Sequence, residues 1–257
     1  MSQSVLVLGA TRGLGASLLQ LYASKPSTTV FGTTRSSTPP EIPSQPNIAW
    51  LTGIDVAKQD AGQEIVLQLP SSTRVSTAII SAGYFGFETF DEPDWEKEVK
   101  MYTTSAIGPV FIVHHLVKAG ILGERSKVIL VSSESGSITL RHEKEGGGNF
   151  GHHASKAALN MVGKLLSLDL KDRGIAVGLV HPGFMRTEMT RSVGFDQYWD
   201  DGGAVTPDQA AESLASFIEE FDISKTGQYW APRGPRDIGT AEDVLGKNLP
   251  TPLQLPW

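Results

Sequence analysis

The sequence contains no cysteine, which removes disulfides, thiol nucleophiles, CxxCH haem attachment and cysteine-ligated zinc. It has no uninterrupted apolar run near the roughly 18 residues that a membrane span requires. It also lacks a basic, then apolar, then small-residue leader at its start, so a cytoplasmic protein without membrane association is expected. Positive charge is in the minority, with 22 Lys+Arg against 28 Asp+Glu and a net charge of −6. That balance argues against nucleic acid as the main partner and points to small molecules. The 6 histidines form no HExxH or similar spacing, so no metal is expected.

The 257 residues are 40% hydrophobic and 19% charged, the composition of one globular domain with a large core. Short β-branched runs alternate with longer amphipathic ones. Strands are predicted over residues 5–8, 29–33, 48–51, 75–81, 127–132 and 175–180, with a weaker one over 227–230. Helices are predicted over 14–24, 58–69, 94–119, 152–172 and 207–221. This alternation predicts an α/β fold, a Rossmann-type doubly wound parallel sheet in a single domain. The proline- and serine-rich run 36–46 reads as a surface loop, 141–151 as an irregular excursion, and the Pro/Gly-rich tail after Trp230 as an extended segment.

Directly after the first strand stands Gly9-Ala10-Thr11-Arg12-Gly13-Leu14-Gly15. At a strand-to-helix turn, Gly9 permits the turn, Gly13 lets backbone approach a pyrophosphate, and Gly15 allows close helix–strand packing. The helix N-terminus then offers free N–H groups to the phosphates. The second strand ends Gly32-Thr33-Thr34-Arg35, without the carboxylate that would grip a ribose 2′-hydroxyl. Arg12 and Arg35 are two cations suited to a 2′-phosphate, so NADP(H) is the expected cofactor.

With Asp55-Val56, Ser81-Ala82-Gly83, Ser132-Ser133-Glu134-Ser135-Gly136, Ala154-Ser155-Lys156-Ala157-Ala158-Leu159-Asn160 and His181-Pro182-Gly183-Phe184-Met185-Arg186-Thr187, the chain resembles the short-chain dehydrogenase/reductase family. Within it the likeness is to the sniffer-like or C-factor-like carbonyl reductases. The resemblance implies that Asp55 and the adjoining Val56 meet the adenine, that Ala82 and Gly83 border its ribose, and that Pro182, Gly183 and Thr187 flank the nicotinamide. It places Ser133 and Lys156 in the family's Ser and Lys positions. Where the family has a Tyr, four residues before the Lys, stands His152, and Ser105 stands where an Asn is usual.

On a helix His152 and Lys156 share a face. An imidazole titrates near about 6.5 without help, and a nearby ammonium opposes imidazolium, so His152 is expected to be neutral at pH 7 and to act as a general base. The alternative is a polar wall residue. His153 reads as structural or exposed, and His114 and His115 as core or interface residues. Phe184 belongs to the expected substrate wall, and so does Tyr84, the one phenol placed near the cleft, whose alternative role is that of a displaced acid. A lid over about 185–203 carries Phe195, Tyr198 and Trp199, whose aromatic character fits a bulky, partly apolar substrate. Three functions follow from these residues: an NADP(H)-dependent oxidoreductase, a non-redox isomerase, cyclase or dehydratase of secondary metabolism, and a cofactor-binding regulator without turnover. Pairing through the two long helices would give a homodimer or homotetramer.

Overall fold

The structure, a computed structural model, describes residues 3–41 and 45–257; residues 42–44, within the predicted proline-rich loop, and residues 1–2 lie outside it. Eight strands form one sheet: β1 (Gln3–Leu8), β2 (Thr28–Thr33), β3 (Ile48–Leu51), β4 (Thr77–Ile80), β5 (Lys127–Val131), β6 (Ala176–Val180), β7 (Tyr229–Ala231) and β8 (Leu253–Gln254). Their order is β3-β2-β1-β4-β5-β6-β7-β8, and every pairing is parallel except β7 with β8. The chain reverses its direction of travel across the sheet between β1 and β4, the place where doubly wound sheets open a crevice at their strand ends.

Both faces of the sheet are covered, and the period-two alternation of β1 divides its residues between them. Leu6 and Leu8 pack with α2 (Ala61–Gln68), α4 (Gly108–Lys118) and α5 (Phe150–Leu170). Val5 and Val7 pack on the other side with α1 (Gly13–Ala23) and α7 (Pro207–Glu220). The three-layer architecture is therefore already encoded in the four-residue run Val5-Leu6-Val7-Leu8.

Two predicted elements take a different form. The long helix over 94–119 is divided into α3 (Trp95–Tyr102), a π-helical turn over Thr103–Ile107, and α4. Directly after the π turn comes Gly108, where a Cβ would lie 1.9 Å from the Val56 carbonyl oxygen, so helix and nucleotide-side loop meet backbone to backbone. The tail, predicted to be extended, adds the short helix α8 (Ala241–Leu245) and strand β8. Leu253 and Leu255 are buried, and Trp257 stacks on Tyr229 with ring centroids 5.8 Å apart. Apolar residues spaced through a Pro/Gly-rich stretch were enough to fold it back onto the sheet edge.

Gly108→Ala is expected to destabilise the fold by about 1–3 kcal/mol through overpacking. Thermal unfolding should register about 2–4 °C for each kcal/mol. An unchanged Tm would show that Val56 and α4 separate freely.

Candidate active site

A cavity of about 950 Å³ runs across the strand ends at the crossover, lined by the β1–α1 turn, the ends of β2, β4, β5 and β6, and the first turns of α5. At one end the glycine turn is fixed to β2: Gly9 N–H donates to Thr33 Oγ1 at 3.0 Å and Ala10 N–H to the Thr33 carbonyl at 3.3 Å. Gly9 has φ +81°, and a Cβ there would lie 2.7 Å from Ala82 Cα. A Cβ on Gly15 would stand 2.1 Å from the Gly9 carbonyl oxygen. No side chain caps α1, whose N-cap position is Arg12. Its first amides are thus a cradle of backbone donors at a helix N-terminus, the arrangement that holds phosphate groups. Arg12, Arg35, Asp55, Val56, Ala82 and Gly83 line the same end, with Thr11, Gly13 and Leu14. The residues fit a dinucleotide.

At the other end stand Ser133, His152 and Lys156. Lys156 is buried in α5, and its ammonium donates to the Val131 carbonyl at the end of β5, 2.9 Å away. Burial pulls its pKa down to about 8. Close packing supports that placement, because a Cβ on Gly136 would lie 2.7 Å from the Lys156 carbonyl carbon. Ser133 begins the turn Glu134–Gly136 and accepts from Ser135 N–H at 3.3 Å, while the Tyr229 hydroxyl donates to the Ser133 carbonyl.

His152 lies in the first turn of α5. The helix start is held by Glu88, a buried carboxylate that accepts from Gly151 N–H. The imidazole stacks on Phe85 with centroids 4.1 Å apart and planes at 25°. Its Nδ1 is buried without a hydrogen-bond partner. Burial first, then the positive charge of Lys156, with smaller contributions from His153 and Arg141, holds its pKa well below 6.5. The ring is therefore neutral at pH 7.

His153, the next residue, uses Nδ1 on the Asn149 carbonyl at 2.9 Å. His114 and His115 lie on α4 with their rings edge to face at 5.2 Å.

Pro182, Gly183, Phe184 and Thr187 line the floor between the two ends. Gly183 has φ +106°, and a Cβ there would meet Asp237 Oδ2 at 2.3 Å. Asp237, from the C-terminal tail, accepts from Phe184 N–H at 2.9 Å and pairs with Arg233 at 3.3 Å. The segment above is pinched at its neck, where Arg186 N–H donates to Val205 and Val205 N–H to Phe184, both at 2.9 Å.

Tyr84, Phe195 and Tyr198 line the cavity, and Lys100 lies 4.0 Å over the Tyr84 ring. Trp199 does not: its indole N–H donates to Thr190 Oγ1 at 3.2 Å and Arg191 sits 5.0 Å from its ring, inside the lid. Ser105 is also outside the lining, buried within the π-helical turn, and its neighbour Thr104 faces the cavity instead.

Four contributors had little or no sequence signal. Phe85 links His152 to the lid through Phe195, whose ring meets it edge-on at 5.6 Å. Glu88, Thr104 and Asp237 act through a helix start, a π turn and a distant tail. His181, by contrast, adjoins the Pro-Gly pair; it accepts from Glu134 N–H at 3.0 Å through Nδ1 and leaves Nε2 without a partner. Among the described residues no group of three His, Asp or Glu side chains is placed to hold a metal ion, and no helix is long and apolar enough to cross a membrane.

The chain belongs to the short chain dehydrogenase family, which it matches over residues 3–197. It is similar to the short chain dehydrogenase gsfK of Penicillium aethiopicum, 27% identical over 250 residues, covering 89% of this chain and 96% of that protein. Its fold is that of NADPH-bound carbonyl reductase from chicken fatty liver, at 22% identity and TM-score 0.75, covering 90% of this chain and 96% of that one. The carbonyl reductase Sniffer of D. melanogaster matches at 20% identity and TM-score 0.75, with 100% of both chains covered.

Because folding depresses the His152 pKa, the unfolded chain binds a proton below pH 6.5 that the folded chain refuses. This contribution to stability is complete above 6.5 and is lost as the pH falls below it. NMR titration should find the His152 ring neutral at pH 7 and titrating below 6.5. A value at or above 6.5 would contradict the burial and charge arrangement described.

Proposed function

We propose that the protein is an NADP(H)-dependent oxidoreductase acting on a carbonyl or alcohol of a bulky, partly apolar small molecule, with His152 in the family's Tyr position. The observation that carries this reading is that one cavity is lined both by the glycine cradle with Arg12 and Arg35 and by Ser133, His152 and Lys156. The NADPH bound by the chicken carbonyl reductase is in keeping with it. When bound, the nicotinamide supplies or accepts the hydride.

The chain's own residues would do the rest. The amides of Gly13, Leu14 and Gly15 bind the pyrophosphate, with Gly9 and Thr11 shaping the turn, and Arg12 and Arg35 take the 2′-phosphate. Asp55 and Val56 meet the adenine, Ala82 and Gly83 border its ribose, and Pro182, Gly183 and Thr187 flank the nicotinamide. Ser133 Oγ hydrogen-bonds the substrate oxygen. His152 takes the proton from an alcohol and becomes imidazolium. In the reverse direction the newly formed alkoxide takes its proton from the small imidazolium fraction, which is left neutral, or from water relayed through Ser133, whose hydroxide passes to solvent. Lys156, anchored to Val131, binds the nicotinamide ribose, and its charge adds to the burial that keeps the imidazole neutral. Ser105, buried in the π turn, supports the cavity wall from behind and Thr104 faces the substrate side. Tyr84, Phe85, Phe184, Phe195 and Tyr198 enclose the substrate's apolar part, and Trp199 stiffens the lid from within.

A second reading comes from His152 alone. A neutral ring with an unpartnered Nδ1 is also suited to removing a proton from carbon beside a carbonyl, as an isomerase, cyclase or dehydratase of secondary metabolism requires. Met161, Leu165 and Leu168 share one exposed face of α5, and a homodimer or homotetramer paired there belongs to the proposal.

Wild-type protein should bind NADPH in preference to NADH and oxidise it with some member of a ketone and aldehyde panel. His152→Ala should then lower kcat by about 10²–10⁴-fold, with Tyr84→Phe nearly unaffected. NADPH bound without oxidation across the panel, together with carbonyl reduction appearing in His152→Tyr, would instead favour the non-redox reading. Failure to bind either cofactor would overturn the nucleotide site itself. Light scattering at micromolar concentration should report a dimer or larger species; a monomer would remove the pairing.

A further inference from the structure

Arg12 is engaged by this chain itself. Its backbone at the N-cap position of α1 is extended, and its guanidinium Nη1 donates to Glu188 Oε2 at 3.0 Å. Glu188 opens α6 (Glu188–Ser192) at the base of the lid, and both residues line the large cavity. The preceding residue, Thr187, places its methyl 3.5 Å from where a Gly13 Cβ would stand, so the lid base lies alongside the glycine turn. Among the described residues Arg35, the other cation at that end, has no carboxylate within 4 Å.

We propose that Glu188 is a cofactor-selectivity residue, an internal anion that competes with the 2′-phosphate for Arg12 and couples that exchange to the lid. The inference rests on the NADP(H) reading above. The pair is poised for exchange: the side chains of Arg12 and Glu188 are 63% and 72% exposed, and an exposed ion pair is weak. A phosphate monoester brings about −1.5 to −2 charges and three acceptor oxygens against the single charge of a carboxylate. It therefore displaces Glu188 from the guanidinium. A dinucleotide that ends in a 2′-hydroxyl brings no such anion, and Glu188 stays on Arg12.

Two consequences follow. The affinity for the phosphorylated nucleotide is set by the difference between two anions at Arg12. The lid base is tied to the glycine turn with NAD(H) and released by NADP(H). Glu188 is thereby a residue whose removal strengthens binding of one cofactor and not of the other.

Calorimetry at fixed low salt with 2′,5′-ADP and 5′-AMP, on wild type, Glu188→Gln and the double variant Arg12→Gln/Glu188→Gln, tests this. Glu188→Gln is expected to bind 2′,5′-ADP about three- to fivefold more tightly, with 5′-AMP within about twofold, and the gain should vanish without Arg12. Hydrogen exchange over 186–203 should quicken in wild type on adding 2′,5′-ADP, and be quick in Glu188→Gln without it. Because both side chains are exposed, the variants keep the core intact. If wild type prefers 2′,5′-ADP but Glu188→Gln gains nothing or loses affinity, this inference alone is overturned. If wild type shows no preference, the NADP(H) reading falls and takes the inference with it.

Discussion

The buried ammonium of Lys156 is the constraint around which the end of the cavity holding Ser133 and His152 is organised. Withdrawing a positive charge from water is costly unless it finds a partner, and this one finds the Val131 carbonyl at the end of β5. That bond fixes α5 to the sheet. The small turn Glu134–Gly136 can then pack on α5 only because residue 136 has no side chain. Burial is the larger cause of the neutral imidazole one turn earlier, and the same charge, left without a carboxylate, adds to it. Position and packing at this end have a common origin, and the protonation state is set by burial with that charge in support.

The nucleotide end depends on a different property, the close approach of backbones. Gly9, Gly15 and Gly108 stand where a Cβ would overlap main-chain atoms of Ala82, Gly9 and Val56. Gly9 and Gly15 announce themselves in the sequence because glycine spacing after an apolar strand has few other uses, whereas Gly108, inside a predicted helix, does not. Net charge, by contrast, was silent about this region: an acidic protein carries its two relevant cations at one crevice.

The glycine turn was legible for that reason, and the layered fold from the alternation of strands and helices; Ser133 and Lys156 were carried by the family resemblance, and helix spacing put His152 on the face of Lys156. What escaped was set by tertiary geometry. Trp199 had the composition of a pocket residue, yet the lid folds it inward onto Thr190 and Arg191. Asp237 is over 50 residues from the turn it fixes at Phe184, and nothing local marks it. Phe85 and Glu88 lie in the irregular stretch between β4 and α3, where no periodicity tells an inward side chain from an outward one. The tail folded because two leucines and a terminal aromatic outweighed its prolines and glycines.

The π-helical turn between α3 and α4 holds one residue more per hydrogen-bonded ring than an α-helix, which offsets the facing of α3 from that of α4 by about 100°. Thr104 faces the cavity while Ser105 is turned into the core. In evolutionary terms the wall of the cavity and the buried seam against Val56 are in separate registers of one continuous helix. Substitutions can alter the wall upstream of the turn without disturbing the seam downstream. The loss or gain of a single residue would instead exchange which side chains meet the cavity and which meet the core.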